Sequence, residues 1–210
     1  MIPQQHAGRT VLAFFWADNS LNSNLRNNIR TMMQGLQAMK DSAALLVYWD
    51  GEASDISWPE PCIVEYVTNG QGGINSLSKG TIDAMMADKN TSIYDLIGIG
   101  NIRKKYPPQT STEKTVMQTV IGDMMSAYPS ESYGIIFGSH GSGWLPTITG
   151  TRSIGQDGGR YSSDTALIPE LAEVLRTVNP QKFDFVLFDA CMMGLSLIHI
   201  SEPTRPEPIS

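Results

Sequence analysis

Short apolar runs recur along the 210-residue chain and are rich in β-branched and aromatic residues. Such runs predict buried strands. They are TVLAFFWA (10–17), SAALLVYWD (42–50), CIVEYVT (62–68), SYGIIFG (132–138) and KFDFVLFDA (182–190). After the first run, apolar residues from Leu21 to Leu36 follow at three- and four-residue spacing, which predicts an amphipathic helix. We therefore expect strands and helices to alternate along the chain.

Further helices are predicted at 78–89, 112–128 and 164–178. Residues of the types that commonly cap helix N-termini precede or open the longer helices. They are Asp18, Asn19, Ser20, Ser111, Thr112 and Asp164. The segment 139–163 is rich in Gly and Ser and is predicted to be a long polar loop.

Alternating strands and helices are typical of an α/β sandwich with a mostly parallel central sheet. In such sheets the site lies beyond the carboxyl ends of the strands. His140 follows the predicted strand at 132–138, and Cys191 follows the one at 182–190. A right-handed crossover places the ends of neighbouring parallel strands side by side. The sequence thus predicts an imidazole and a thiol on one rim of the sheet.

Composition limits the classes of partner. The formal net charge is −6, and nucleic-acid binding needs clustered Lys and Arg, so we expect no nucleic-acid partner. The sequence has no apolar run near the ~20 residues of a membrane span, and its N-terminus has no apolar leader segment. Its two cysteines, Cys62 and Cys191, do not make a disulfide framework. Cys62 opens a strand, so we expect it to lie far from the rim and interpret it as structural.

The pairing of His140 with Cys191 carries the chemical interpretation. A histidine after a strand is more often structural, and a cysteine there is more often a small buried hydrophobe. When both stand at neighbouring strand ends, the imidazole can take the thiol proton and create a nucleophile. The two residues are 51 positions apart, and caspase-type peptidases place the histidine roughly 50 residues before the cysteine.

Four segments in order resemble the clostripain-like peptidases, a family of the caspase-like clan. SHGSGW and FDACMMG are similar to the family's His and Cys motifs, FFWADNSL to its first strand and turn, and LLVYWDG to its second strand. The resemblance covers residues 10–194. It implies a caspase-like three-layer sandwich and a cysteine endopeptidase that cleaves after Arg or Lys, with His140 as catalytic histidine and Cys191 as nucleophile.

The resemblance also implies roles for other rim residues. Asp189 matches the acidic residue of the S1 pocket, and a carboxylate there pairs with a basic P1 side chain. Gly141 matches the oxyanion-hole glycine. A rim role is further considered for Asp18, Asn19 and Trp144. Against these stand plain alternatives: strand capping for Asp189, turn geometry for Gly141, helix capping for Asp18 and Asn19, and packing for Trp144.

The same resemblance implies a secreted or cell-surface bacterial protein, and we expect it to be a monomer. A role for calcium is implied by the family resemblance alone. The sequence shows no clustered carboxylate loop, so no metal ligand can be assigned. An Arg-specific enzyme would meet Arg152, and then Arg160, as exposed sites in the loop at 146–163. We therefore expect maturation by self-cleavage there.

The last segment, LSLIHISEPTRPEPIS (195–210), has three prolines in its final eight residues and resembles translated adapter sequence. We interpret it as a non-native, disordered tail, which excludes His199 from the site. Residues 1–194 are then the N-terminal part of a peptidase domain that is incomplete at its C-terminus. An inactive fragment of such a peptidase is the first alternative function. A serine hydrolase using Ser139 is a remote one, because Phe137 stands where the nucleophile elbow needs glycine.

Overall fold

The structure is a computed structural model, and it describes residues 7–52, 54–141, 153–157, 164–178 and 183–190. The strands are β1 (Ala7–Trp16), β2 (Ala43–Asp50), β3 (Cys62–Thr68), β4 (Asn101–Lys105), β5 (Ser130–Ser139), β6 (Ser153–Asp157), β7 (Asp164–Leu167) and β8 (Phe185–Ala190). The helices are α1 (Asn22–Ala38), α2 (Lys79–Ala87), α3 (Ile93–Ile97), α4 (Lys114–Ala127) and α5 (Ile168–Val178).

A six-stranded sheet in the order β4-β3-β2-β1-β5-β8 forms the centre of the fold. β2, β1, β5 and β8 are parallel to one another, whereas β3 and β4 are antiparallel additions at one edge. The prediction of an α/β fold with a mostly parallel sheet is confirmed. In this order β1 is central and β5 is its direct neighbour, so their carboxyl ends lie together.

Alternation along β1 divides the core into two layers. Leu12, Phe14 and Trp16 face the cluster that contains α4 and α5, while Ala13 and Phe15 face the cluster that contains α1. All five are fully buried. The sequence of a strand that is covered on both faces is continuously apolar, because the side chains on each face pack against a helix.

The polar strand β4 was not predicted from the sequence. Its residues NIRKK lack an apolar pattern, and most are exposed. Its cations pair with carboxylates, Arg103 with Glu65, Lys104 with Asp123 and Lys105 with Glu60. Charged residues are common on strands that border the solvent edge of a sheet, where they discourage pairing with other chains.

The predicted loop at 139–163 contains a strand, and this part of the prediction is wrong. β6 pairs with β7 in an antiparallel hairpin. Asp164 belongs to β7, so it does not cap the following helix, which begins at Ile168. The hairpin is short and polar, and it is ordered against β1 and β5 by tertiary contacts that no local pattern announces.

The expected helix caps are also corrected. The N-cap of α1 is Leu21 and that of α4 is Glu113, and neither makes a side-chain cap bond. Ser111 instead turns inward, where its Oγ lies 2.6 Å from the Tyr48 hydroxyl and donates to the Asp50 carboxylate. Buried polar partners thus replace helix capping, because an unmet hydrogen bond in the core costs more than one at an exposed helix end.

Candidate active site

The carboxyl ends of the parallel strands β1, β5 and β8 meet at one rim of the sheet. Phe15 of β1 pairs with Gly138 of β5, and Ser139 of β5 pairs with Ala190 of β8. His140 is the residue after Ser139, and Cys191 is the residue after Ala190 in the sequence. Cys191 itself lies outside the described residues. The strands that lead to the two predicted catalytic residues are therefore direct neighbours in matching register.

His140 is partly exposed at the end of β5. Its Nε2 lies 3.0 Å from the Oγ of Ser20. Ser20 is in the loop that follows β1, the strand next to β5. Ser20 was predicted only as a helix cap, and its contact with His140 was not predicted. The available signal was the polar trio Asp18, Asn19 and Ser20 at a strand's carboxyl end, which local rules attribute to the helix that follows.

Asn19 ties the loop after β1 to the end of β5. Its Nδ2 donates to the Trp16 carbonyl over 2.7 Å and to Ser139 Oγ over 3.2 Å. Its Oδ1 accepts the Leu21 N–H over 2.9 Å. Asn19 is therefore a structural member of the rim. Asp18 lies beside it at the same strand end and is buried, with 6 % of its surface exposed.

Asp189 is exposed near the end of β8, opposite Gly138. The Nδ2 of Asn28, on α1, donates to Asp189 Oδ2. Asn28 was not singled out from the sequence, because a polar residue on the solvent side of a helix carries no distinguishing pattern. The contact shows that the Asp189 side chain lies on the α1 side of the sheet.

Gly138 permits α1 to pack close to the rim. A Cβ at this position would lie 2.6 Å from a ring carbon of Phe15 and 2.8 Å from a methyl carbon of Leu25. Both neighbours are buried and have no room to withdraw. The absent side chain at 138 thus brings α1, with Asn28, over the strand pair that carries His140 and Asp189.

Gly141 forms an isolated antiparallel bridge with Ile154 of β6. The Gly155 N–H donates to the His140 carbonyl over 2.9 Å. This is the pattern in which the residues that flank a pair make the hydrogen bonds, so the bridge does not use the N–H of Gly141 itself. Gly155 has φ +79°, and a Cβ there would lie 2.7 Å from the Trp16 ring. Glycine is therefore required at 155 for β6 to pack against the end of β1.

A buried cation anchors α1 beside the rim. Arg26 is 2 % exposed, donates from Nη2 to the Asp55 carboxylate and from Nε to Asn22 Oδ1 over 2.9 Å. Its guanidinium also lies over the rings of Trp49 and Tyr94, each at 4.6 Å. Paired and stacked in this way, a buried arginine joins α1 to the loop after β2.

Cys62 is at the same end of the sheet as the rim, although we expected it far away. It pairs with Trp49, one residue before the end of β2, because β3 runs antiparallel. Cys62 is 1 % exposed, and burial raises the pKa of its thiol to about 12. A thiol that stays protonated and buried is unreactive, which supports a structural role.

Several predicted residues lie outside the described residues. They are Cys191, Trp144, Arg152, Arg160 and the tail at 195–210. Ser139 is described, and it is fully buried. A serine nucleophile must reach its substrate, so this burial argues against the remote serine hydrolase interpretation.

Within the described part of the chain, no three His, Cys, Asp or Glu residues come together as a possible metal site. In that same part, no helix combines the length and apolar character needed to span a membrane.

Comparisons with known proteins agree with the fold. The model of the clostripain family matches residues 13–200. A secreted C11 cysteine protease from Bacteroides thetaiotaomicron, solved with an irreversible peptide inhibitor, superposes with a TM-score of 0.62 at 30% identity. An inactive zymogen C11 protease from Parabacteroides distasonis superposes with a TM-score of 0.58 at 26% identity. No curated protein sequence matches the chain.

These matches define the class first, a layered α/β fold with a mostly parallel central sheet that is shared with C11 cysteine proteases. The chain belongs to the clostripain family, whose model covers most of its length. The superpositions include 89% and 91% of this chain but 43% and 44% of the two structures. The chain thus spans less than half the length of these relatives.

Proposed function

We propose that the protein is a cysteine endopeptidase that cleaves after Arg or Lys, with Cys191 as nucleophile and His140 as base. The observation that carries the proposal is the register of β5 and β8, where Ser139 pairs with Ala190. The residues next along the chain are His140 and Cys191. In this reaction the imidazole accepts the thiol proton, and the thiolate attacks the scissile carbonyl. As the C–N bond breaks, the leaving amine takes the proton from the imidazolium, and water then hydrolyses the acyl-enzyme.

Substrate selection is assigned to Asp189. Its carboxylate is exposed and lies two residues before Cys191 in the sequence, and the described contact to it is neutral, from Asn28. Because the Asn28 amide carries no charge, it does not replace a guanidinium or ammonium group as the ion-pair partner of the carboxylate. This supports a preference for basic P1 side chains.

Stabilisation of the oxyanion is assigned to Gly141 with the N–H of Cys191. The bridge to Ile154 leaves the Gly141 N–H out of its hydrogen bonds, and the bond from Gly155 to the His140 carbonyl fixes the backbone just before it. A backbone donor held in place before the reaction lowers the barrier without reorganisation.

The direct test is hydrolysis of fluorogenic peptides that end in Arg or Lys. It uses the 210-residue chain and a chimera in which residues after Gly194 are replaced by the corresponding segment of the Bacteroides thetaiotaomicron protease. We expect cleavage that iodoacetamide blocks and a fluorophosphonate does not. Labelling should occur at Cys191 alone, because Cys62 is buried and protonated. No cleavage by either form, with Cys191 unreactive, would refute the proposal.

An inactive chain is the alternative that one observation favours. β8 leaves Phe185, Val186 and Leu187 exposed by 41, 40 and 51 %. Exposed apolar residues on an edge strand favour aggregation and pairing with other chains, which would reduce the amount of active protein. Activity of the chimera without activity of the 210-residue chain would identify this case.

Maturation is proposed to occur by self-cleavage after Arg152, and second after Arg160. The inactive zymogen among the related structures is consistent with activation by cleavage. We expect new N-termini at 153 and 161 when the active form is incubated, and none in its Cys191→Ala variant. Arg176 serves as the internal control, because it lies within α5, where a helical backbone resists cleavage. Equal nicking of both proteins would refute self-processing.

The related protease described as secreted also supports an extracellular location for this protein. We propose that it acts there as a monomer on peptide or protein substrates.

A further inference from the structure

Two successive residues after β1 contact two successive residues at the end of β5. Asn19 donates to Ser139 Oγ, and Ser20 Oγ lies 3.0 Å from His140 Nε2. The loop after β1 thus brings a side chain to His140 at the end of the neighbouring strand β5. The contact involves Nε2 of the imidazole ring and does not involve the other ring nitrogen, Nδ1.

The position of Ser20 is determined by its neighbours. On one side Asn19 is bonded to the Trp16 carbonyl, and on the other the Leu21 N–H is bonded back to Asn19 Oδ1. The Asn22 N–H also donates to the Asn19 carbonyl over 3.1 Å. The backbone on both sides of Ser20 is therefore held, and only the torsions of its short side chain remain free. A contact made from such a turn costs little entropy.

We propose that Ser20 is a positioning residue for His140, an inference that rests on the proposed peptidase function. The Ser20 hydroxyl oxygen accepts the hydrogen of Nε2–H. The neutral ring then carries its lone pair on Nδ1, which is the nitrogen that takes the proton of the attacking thiol. As the S–H bond breaks, that proton moves to Nδ1, the electron pair stays on sulfur, and the imidazolium keeps its Nε2–H bond to Ser20.

The hydrogen bond can be tested without any substrate. The chain has three histidines, so selective labelling of histidine with ¹⁵N gives three rings, and loss of one in His140→Gln assigns the signal. We expect the Nε2–H proton of His140 to be protected from solvent exchange in the wild type. This protection should be lost in Ser20→Ala and retained in Ser20→Thr. Ser23→Ala, at another exposed serine of the same region, is the matched control and should leave the signal unchanged.

Kinetics then separate orientation from binding. In the form that cleaves peptides, Ser20→Ala should lower kcat about tenfold, the effect of one neutral hydrogen bond, with KM unchanged. Ser20→Thr should restore most of the rate. A ring proton that is unprotected in the wild type, or unaffected by Ser20→Ala, would overturn the proposal. So would a rise in KM with kcat unchanged, because Ser20 would then contact substrate.

Failure of the proposed function has a different signature. It would show as absence of peptide cleavage by the wild type and the chimera. The protection of the His140 ring proton is read without turnover, so it reports on the Ser20 contact in either case.

Discussion

Cys191→Ala is expected to lower kcat/KM for an Arg-terminated peptide by at least about 10⁴-fold, because no other group can form the acyl-enzyme. His140→Ala should lower it by about 10²–10⁴-fold, the usual contribution of a general base. Both losses should fall on kcat, since neither side chain is assigned to substrate binding. Steady-state kinetics on the peptide-cleaving form measures them.

The matched control is Cys62→Ala, which removes the other thiol of the chain. Cys62 is buried three strands away from β5 in the sheet order, so peptidase activity should persist. Loss of activity in Cys62→Ala with an unchanged melting temperature would contradict the assignment of the nucleophile. Persistence of activity in Cys191→Ala would do so directly.

The second large effect is expected at Asp189. Asp189→Asn keeps the shape of the side chain and an oxygen that can accept from Asn28, and removes only the charge. We expect kcat/KM for Arg and Lys substrates to fall about 10²-fold or more, because the bound P1 cation would lose its counter-charge in a desolvated pocket. Substrates with an uncharged P1 side chain such as Gln should be unaffected or improve.

Asp184→Asn provides the control for charge. It makes the same substitution just before β8, where Asp184 accepts from Ser132 at the opposite end of the strand. Its substrate preference should match the wild type. An equal loss on Arg and Gln substrates in Asp189→Asn would show that Asp189 supports the fold of the rim without selecting the substrate.

Prediction from sequence succeeded for the strands that carry the rim. β1, β2, β3 and β5 were predicted within three residues at each end, since each is a continuous apolar run covered on both faces. Such runs have one stable environment, the middle of a layered fold. The parallel arrangement of β1, β5 and β8 also followed from the alternation of strands and helices.

Prediction failed where tertiary contacts outweigh local preference. β4 is polar, and β6 is short and lies within a Gly- and Ser-rich segment. Ser111 is a good helix cap in isolation, but Asp50 and Tyr48 bind it in the core. The direction of β3 was missed as well, and with it the position of Cys62, because an apolar run reads the same in either direction.

The sequence by itself determined which residues carry the candidate chemistry. It placed His140 and Cys191 after the ends of two predicted strands, where the site of a parallel sheet lies, and the family motif added Asp189. Only the tertiary structure decided what these residues touch. Ser20 contacts His140 from 120 positions away, and Asn28 contacts Asp189 from 161. Such contacts depend on how strands are ordered and how closely α1 packs over Gly138, and neither distance along the chain nor local propensity encodes them.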